Sequence, residues 1–428
     1  MFTKKTIRDI DLSGKTVLLR ADYNVPLDGN KITDNYRIKQ SLPTLDYLLE
    51  HGAKVVICSH LGRPDGVPSP KYSLSPVASE LSKLIHRPVE FADDCIGEEV
   101  KNKVKELKAG EILLLENVRF HPEEEKNDPE FSKQLSEGME VFVQDGFGVV
   151  HRAHASTEGV THYLPSVAGL LLEKEVDIIT DAMENPKRPL TAIIGGAKVA
   201  DKIEILKRFI YIADFVAIGG ALANPFLKAR GIDIKDSLYD PTELQIAKEI
   251  LESANKESAK RPFVFFIPHD AVVAKEIDKT TTTRLVDFAS NSFADIVNYP
   301  KPVPKSEVSL EEGEKILDIG PFSASFIAGA INVSETVIWN GTMGVTETHS
   351  LRGPMGPFAH GTEVVIEAIT GDYGHKPYSV VGGGDTVGYI ESRDLVDSFN
   401  HVSTGGGASL ELMSGHKLPG VEALEDKK

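Results

Sequence analysis

The sequence predicts an α/β protein built on two doubly wound parallel sheets, and three observations carry this prediction. Short runs rich in Val, Ile and Leu recur along the 428 residues. Helix-like segments alternate with these runs, and one proline-containing segment separates them into two sets. Apolar runs without polar alternation are typical of strands buried on both faces, as in parallel sheets. Repeated alternation of strand and helix indicates the doubly wound architecture.

The predicted strands lie on either side of the segment 184–190, which contains Pro186 and Pro189. Because one sheet holding every strand would be unusually large, we predict two Rossmann-like domains, 1–185 and 189–407, separated by a cleft and a hinge. Helices are predicted over 36–52 and 200–214, the second with an apolar face. The predicted strands are 15–22, 53–60, 111–118 and 141–145 in the first domain, and 191–196, 215–220, 263–270, 315–320, 336–341, 379–385 and 401–407 in the second.

The composition is typical of a globular protein and argues against several functions. Apolar residues make up 41% of the chain, and 47 Lys and Arg face 64 Asp and Glu, for a net charge of −17. Such a chain lacks the basic face that nucleic acids and membrane surfaces require, and no apolar run reaches the ~20 residues of a membrane span. Cys58 and Cys95 cannot form a disulfide framework, so we expect a reducing, cytoplasmic environment.

Most predicted strands are followed by polar or glycine residues beyond what a plain turn requires. Four connections in the first domain each carry an arginine, namely Arg37, Arg63, Arg119 and Arg152. In the second domain, glycines follow most of the predicted strands. The carboxyl ends of parallel strands meet at one edge of a sheet, where ligands bind. Arginine forks match phosphate or carboxylate oxygens, and glycine lets backbone N–H groups approach a phosphate. The sequence therefore predicts a small-anion site in the first domain and a site for a phosphorylated ligand in the second.

Taken singly, these residues have plainer explanations. One arginine after a strand is usually solvated, and Lys198 and Lys202 at a spacing of i, i+4 are more often a surface pair than a catalytic one. His151 and His154 would need a third ligand to hold a metal, and no candidate presents itself nearby. The run containing Glu123–Glu125 is interpreted as a solvated loop and helix start. The phosphate-binding motif GxxxxGK[ST], the dinucleotide motif GxGxxG and the protein-kinase motifs are absent.

A series of motifs resembles the phosphoglycerate kinases, in that family's order from Thr16 to Gly420. They read RADYNVP, DNYRIKQSLPT, SHLGRP, ENVRFHPEEEKN, FGVVHRAHAS, GGAKVADKI, WNGTMG, VVGGGDT and STGGGASLE. The resemblance implies a cytoplasmic, monomeric enzyme of glycolysis and gluconeogenesis that binds neither nucleic acid nor membrane. Its reaction exchanges MgATP and 3-phosphoglycerate with MgADP and 1,3-bisphosphoglycerate, and its C-terminal tail, 408–428, packs back on the first domain.

The resemblance also assigns roles to individual residues. It implies hinge positions at Pro186–Pro189 and Ser403–Gly407, and Mg²⁺ held by Asp385. The residues expected to act in catalysis are Arg37, Lys198, Gly383 and Gly384. Those expected to bind the triose are Asp22, Asn24, Arg37, His60, Arg63, Arg119 and Arg152. Those expected to bind the nucleotide are Gly196, Ala197, Lys198, Lys202, Gly219, Gly220, Asn340, Glu347, Gly383, Gly384, Asp385 and Thr386.

The chain departs from the usual family pattern at four places. Tyr23 replaces a phenylalanine, Phe322 replaces the lysine of DIGPKT, Thr342 replaces the proline of NGP, and THSLRGPMG is an insertion after Val345. The larger changes lie on nucleotide-side loops and bear on nucleotide preference and turnover. They motivate one alternative, a catalytically impaired family member that binds nucleotides or anions. A kinase for another small carboxylate is a second alternative.

Overall fold

A six-stranded parallel sheet forms the core of the first half of the chain. Its order is β5-β6-β4-β1-β7-β8. After β1, the chain first adds β4, β5 and β6 on one side and then β7 and β8 on the other. The computed structural model describes residues 2–197, 200–288, 309–348 and 355–427. The strands are β1 (Thr16–Arg20), β2 (Leu27–Asp28), β3 (Lys31–Ile32), β4 (Lys54–Cys58), β5 (Glu90–Phe91), β6 (Ile112–Leu114), β7 (Val141–Gln144) and β8 (Ser166–Ala168); β2 and β3 form a separate hairpin.

The central strands of this sheet are buried on both faces, as their apolar runs predict. Every residue of β1 is buried, with Leu18 in register with Val56 on one side and Phe142 on the other. Helix starts follow local sequence signals: the Asp128 side chain accepts a hydrogen bond from Phe131 N, with Pro129 in the first turn. The helices are α1 (Tyr36–Glu50), α2 (Ser75–Ile85), α3 (Glu98–Glu106), α4 (Pro129–Ser136) and α5 (Leu170–Glu184).

A second six-stranded parallel sheet follows, with the order β11-β10-β9-β15-β16-β17. Its strands are β9 (Leu190–Ile194), β10 (Phe215–Ile218), β11 (Val264–Phe266), β15 (Thr336–Asn340), β16 (Tyr378–Gly382) and β17 (His401–Val402). Here the order reverses between β9 and β15, and in the first sheet it reverses between β1 and β7. Ligand crevices form at such reversal points in open α/β sheets. The prediction of doubly wound parallel sheets is therefore confirmed.

One predicted strand belongs elsewhere. The run 315–320 forms β14 (Lys315–Ile319), which is not part of the parallel sheet but pairs antiparallel with β12 (Asp270–Ala274). With β13 (Arg284–Asp287) these strands make a three-stranded sheet. All but the first residue of β14 are buried, so its apolar run resembles that of a parallel strand. Burial alone does not specify the partner or the direction of a strand.

By their internal contacts, the residues divide into two units, Met1–Thr180 with Thr404–Lys428, and Asp181–Ser403. The C-terminal segment joins the first unit through Lys5 N, which donates to Glu425 O at 2.7 Å, and Gly420 N, which donates to Val150 O at 2.9 Å. Among the described helices, none is both long and apolar enough to cross a membrane. The remaining helices are α6 (Ile203–Ile212), α7 (Asn224–Ala229), α8 (Glu243–Ser258), α9 (Pro321–Asn332), α10 (His360–Thr370), α11 (Gly384–Ser392), α12 (Gly406–Ser414) and α13 (Pro419–Glu422).

Candidate active site

In the first unit, residues after β1 hold the arginine at the start of α1. Arg37 Nη1 donates to Asp22 Oδ2 at 3.0 Å and to Asn24 O at 3.2 Å. Asn24 Oδ1 in turn accepts a hydrogen bond from Gly62 N at 2.8 Å. Gly148, beside the neighbouring strand β7, has no room for a Cβ because the Asp22 carboxylate occupies that space. These contacts bring together the ends of β1, β4 and β7 around one guanidinium group.

Arg37, Arg119 and Arg152 together form a cationic group. Burial lowers the pKa of Arg119, the Glu125 carboxylate opposes this, and the Arg20 and Arg152 guanidiniums lower it further. Arg119 is almost fully buried, donates from Nη1 to Gly62 O at 2.9 Å, and forms a 3.2 Å ion pair with Glu125. Arg152 donates from Nε to His151 Nε2 at 3.2 Å. By contrast, Arg63 is exposed and makes no hydrogen bond to the described residues. Hydrogen bonds through Asn24 and Gly62 thus link Arg37 to Arg119. No contact among the described residues links Arg63 to them.

The histidines of this group are held neutral. Burial lowers the pKa of His60 well below its ordinary value, and the Arg20, Arg119 and Arg37 guanidiniums lower it further. Burial, with Arg119 and Arg20 next in effect, lowers the pKa of His154 to about 4. A nearby positive charge disfavours protonation of an imidazole. A site that opposes further positive charge in this way is suited to an anion.

A buried charged group that the sequence analysis missed supports this site. Arg20, at the end of β1, is almost completely buried and donates from Nε to Ser156 Oγ at 2.7 Å. Ser156 Oγ donates to Glu124 Oε1 at 2.6 Å, and Ser156 N donates to Glu124 Oε2 at 2.9 Å. The expectation that Glu123–Glu125 all face water is therefore wrong, because Glu124 has no solvent exposure. The strand position of Arg20 and the acidic run around Glu124 gave no sign of this pairing.

In the second unit, glycine backbones approach one another at the strand ends. Gly195 N donates to Asn340 O at 3.0 Å, and a Cβ at Gly195 would overlap the carbonyls of Gly341 and Thr342. Gly220 has φ of +61°, and its missing Cβ leaves space for the Gly196 backbone. Glycine is the residue that tolerates both the close approach and the positive φ. The crevice between β9 and β15 is consequently lined by backbone.

A buried lysine lies beside this crevice. Lys202 Nζ donates to Asn340 O at 3.2 Å and also to Asn340 Oδ1. Burial lowers the pKa of Lys202 to about 8, although Asp385 and Asp201 oppose this shift. Asn340 is completely buried, and its Nδ2 has no hydrogen-bond acceptor among the described residues. A buried donor without an acceptor is costly, and this one lies beside the buried Lys202 ammonium.

The start of α11 presents a second set of groups for phosphate. Gly383, with φ of +96°, precedes the helix, and Gly384 and Asp385 are exposed in its first turn. Thr386 is buried, and its Oγ1 accepts from Gly341 N at 2.9 Å, which ties the helix start to the end of β15. A helix N-terminus combines unpaired N–H groups with a favourable dipole for anions. A single exposed carboxylate beside a phosphate site also suits Mg²⁺, which binds few carboxylates together with substrate phosphates.

Several predicted nucleotide-site residues are less well defined by contacts. Lys198 and most of the insertion, residues 349–354, lie outside the described residues. Ala197 and Glu347 are exposed. Gly219 is close-packed against Met343, which leaves no room there for a Cβ. Phe322, where the family has lysine, stacks with His269 at 5.9 Å between ring centroids, and its N–H donates to Asp270 at 2.9 Å.

Fold and candidate site together define a class of protein: a two-unit α/β protein with a group of buried arginines at one sheet edge and a glycine-lined crevice at the other. The family model for "Phosphoglycerate kinase" matches residues 7–416. A phosphoglycerate kinase of Moorella thermoacetica is 46% identical over 424 residues, covering 99% of this chain and all of the relative. One of Koribacter versatilis is 44% identical, with the same coverage of each chain.

Solved structures agree with the sequence relatives. The phosphoglycerate kinase of Coxiella burnetii superposes with a TM-score of 0.79 at 34% identity, covering 98% of each chain. That of Pyrococcus horikoshii OT3 gives a TM-score of 0.80 at 31% identity, covering 99% of this chain and 98% of the other. The chain belongs to the phosphoglycerate kinase family. It is a phosphotransferase whose acceptor is a carboxyl group.

Proposed function

We propose that this chain catalyses reversible phosphoryl transfer between MgATP and the carboxylate of 3-phosphoglycerate, giving MgADP and 1,3-bisphosphoglycerate. It does so as a cytoplasmic monomer in glycolysis and gluconeogenesis, with small molecules as its partners. The observation that carries the proposal is the cationic group around Arg37 and Arg119, in which His60 and His154 stay neutral. Family membership supplies the reaction type.

The triose occupies the first unit. Asp22 and Asn24 orient it, and His60, Arg63, Arg119 and Arg152 bind its phosphate and neighbouring oxygens. Arg37 lies nearest the carboxylate that reacts. This arrangement needs no general base, because a carboxyl group with an ordinary pKa near ~4 is already ionised at neutral pH. A site rich in cations and poor in candidate bases fits such a nucleophile.

The nucleotide occupies the second unit. Gly196, Ala197, Gly219, Gly220 and Asn340 line the nucleoside slot, and Glu347 contacts the ribose. Lys198, Lys202 and Thr386 bind phosphates, together with the backbone N–H groups of Gly383 and Gly384. Asp385 would hold Mg²⁺, which neutralises nucleotide phosphate charge when it is bound.

The proposed catalysis depends on positioning the two substrates and on stabilising the negative charge of the transition state. Arg37 and Lys198 stabilise negative charge on the equatorial oxygens of the transferring group, and the backbone donors of Gly383 and Gly384 hold the nucleotide phosphates. Since the two ligands bind different units, the units close to bring the reacting groups in line and exclude water. The segments Pro186–Pro189 and Ser403–Gly407 are the proposed hinges.

A coupled assay tests this function. Purified protein is given MgATP and 3-phosphoglycerate, and ADP release is followed, with glycerate, lactate and acetate as competing acceptors. Turnover with 3-phosphoglycerate well above the other acids supports the proposal. Preference for another acid would make the chain a different carboxylate kinase. Nucleotide binding without turnover would identify an impaired binding protein, the alternative that Phe322 and Thr342 motivate.

A further inference from the structure

Three side chains of different chemistry converge in the first unit, outside the residues assigned to the reaction. One ligand atom from each of Asp94, Cys95 and His121 lies within 4.8 Å of the other two. Asp94 Oδ1 accepts hydrogen bonds from Cys95 N at 2.6 Å and lies 2.7 Å from His121 Nε2. The His121 ring packs against Phe131, with 5.2 Å between ring centroids. The carboxylate and the imidazole are therefore already oriented toward each other beside the thiol.

A surface His–carboxylate pair is common and needs no ligand, so the distinguishing feature is the thiol. His162 Nε2 and Glu158 Oε1 form a pair of almost the same length, 2.8 Å, on an exposed helical turn. That pair belongs to no cluster of metal-binding type among the described residues. Cys95, in contrast, is 2% exposed and not in a disulfide. Asp94, Cys95 and His121 therefore offer oxygen, sulfur and nitrogen donors, whereas Glu158 and His162 offer only oxygen and nitrogen.

This donor set selects one kind of cation. Thiolate and imidazole ligands with one carboxylate suit tetrahedral Zn²⁺, whereas Mg²⁺ and Ca²⁺ take oxygen ligands. Three protein ligands leave a fourth position for water. A cavity of about 560 Å³ lined by Asp93, Asp94, Glu116 and His121 adjoins the group. Two of the three proposed ligands, Asp94 and His121, therefore line a cavity large enough for water.

We infer that Asp94, Cys95 and His121 form a Zn²⁺ site in the first unit, separate from the nucleotide metal at Asp385. Binding converts the Cys95 thiol to thiolate, and the proton passes to solvent. The ion would join the segment around Asp94 to the turn Val118–Phe120, which carries Arg119 and immediately precedes His121. We therefore expect the bound ion to restrict the motion of the turn that positions Arg119 at the anion site.

The test uses the full chain, freed of metal by a chelator and titrated with Co²⁺ as a spectroscopic substitute for Zn²⁺. A thiolate-to-Co²⁺ charge-transfer band in the near ultraviolet should grow to one equivalent, and Zn²⁺ should abolish it. His121→Gln should weaken binding by at least ~10-fold, the scale for disturbing a metal's ligand set. Cys95→Ser should remove the band. At the same Zn²⁺ concentration, the unfolding temperature of the wild-type protein should also rise more than that of His121→Gln.

Matched variants decide between this site and its alternatives. His162→Gln removes the comparable pair without a thiol, and Cys58→Ser removes the other buried thiol; both should retain the band. Binding that lacks a thiolate band would overturn the inference, since Cys95 would then not be a ligand of the ion. So would a band that titrates as tightly in His121→Gln as in the wild-type protein, or one that is lost in a Cys58→Ser protein whose circular dichroism is unchanged. Because His121 lies at the surface edge of the group, its variant remains informative if Cys95→Ser fails to fold.

Discussion

At the scale of single residues, Arg37 is the most sensitive test of the proposed reaction. Its guanidinium is fixed by Asp22 and Asn24 O, so it can stabilise developing charge without reorganising. Arg37→Ala should lower kcat by about 100-fold or more, the scale for a lost transition-state donor. Arg87→Ala, an exposed arginine of the same unit, is the control and should retain activity. Steady-state kinetics with circular dichroism measures both, and a near-normal rate in Arg37→Ala would refute its role.

Asp385 is the residue on which the proposed metal dependence rests. It is exposed in the first turn of α11, at the helix end proposed to bind the nucleotide phosphates. Asp385→Ala should raise the Mg²⁺ concentration needed for half-maximal rate by about 10-fold or more. The exposed Asp372→Ala serves as the comparison. The measurement is the initial rate as a function of Mg²⁺ concentration at fixed ATP. If the curves of Asp385→Ala and the wild-type protein coincide, Asp385 does not bind the metal.

His154 links the anion site to stability at acid pH. Its pKa of about 4 in the folded protein lies below the ordinary value of 6.5. Between these values the unfolded chain binds a proton that the folded chain does not, so stability falls as pH drops from about 6.5 to 4. His154→Gln should lose this dependence. The full shift corresponds to about 3 kcal/mol, and solvent near the ring reduces the expected effect to about 1–2 kcal/mol.

Chemical unfolding at pH 7 and at pH 4.5 measures this effect. The advantage of the wild-type protein over His154→Gln in free energy of unfolding should be smaller at the lower pH. A difference that stays constant between the two values would show that the imidazole is not held neutral by its surroundings.

At the scale of elements, the adjacent ends of the parallel strands β9 and β15 form the proposed nucleotide crevice. Gly341, with φ of +96°, has the Gly195 carbonyl where its Cβ would lie. Gly341→Ala should destabilise the second unit by about 2 kcal/mol or more, because overlap and strained backbone add. Gly329→Ala is the matched change: the glycine lies exposed in α9 with open space at its Cβ. It should stabilise by about 0.5–1 kcal/mol.

Trp339, the single tryptophan of the chain, reports on this unit alone. It is completely buried in β15, where it pairs in register with Ile193 of β9. Its fluorescence during denaturant unfolding therefore gives the midpoint for both glycine variants. Equal midpoints for the two variants would contradict the steric account of the crevice.

The elements also show how far sequence patterns reach. Continuous apolar runs correctly located the central strands, because burial on both faces removes polar residues from them. The same criterion misplaced β14, which is equally buried but pairs antiparallel with β12. It also missed the short strands β5 and β8, with two and three residues, since so few residues carry no periodic signal.

At the scale of the whole molecule, an acidic chain maintains a local cationic site. With a net charge of −17, the positive potential must come from side chains gathered at one sheet edge. The first unit gathers Arg37 and Arg119 there and keeps Arg20 beneath them, with Glu124 connected through Ser156. Such a site attracts small anions without making the overall surface basic.

The proposed closure predicts a change of size in solution. If the triose and the nucleotide bind different units, both ligands together should reduce the radius of gyration, while each alone should have a smaller effect. Small-angle X-ray scattering with 3-phosphoglycerate, with a nonhydrolysable ATP analogue, and with both ligands measures this. An unchanged radius in the ternary mixture would contradict transfer by closure.

The sequence by itself determined the strand–helix alternation, the two sets of strands and the order of the functional motifs. These are local properties, because the hydrophobic periodicity and the positions of glycines can be recognised within a few residues of sequence. Only the tertiary structure decided that Arg20 and Glu124 share Ser156, that Lys202 is buried against Asn340, and that Asp94, Cys95 and His121 meet. Such pairings join residues far apart in the chain. Their burial and charge arise from packing, which no local pattern encodes.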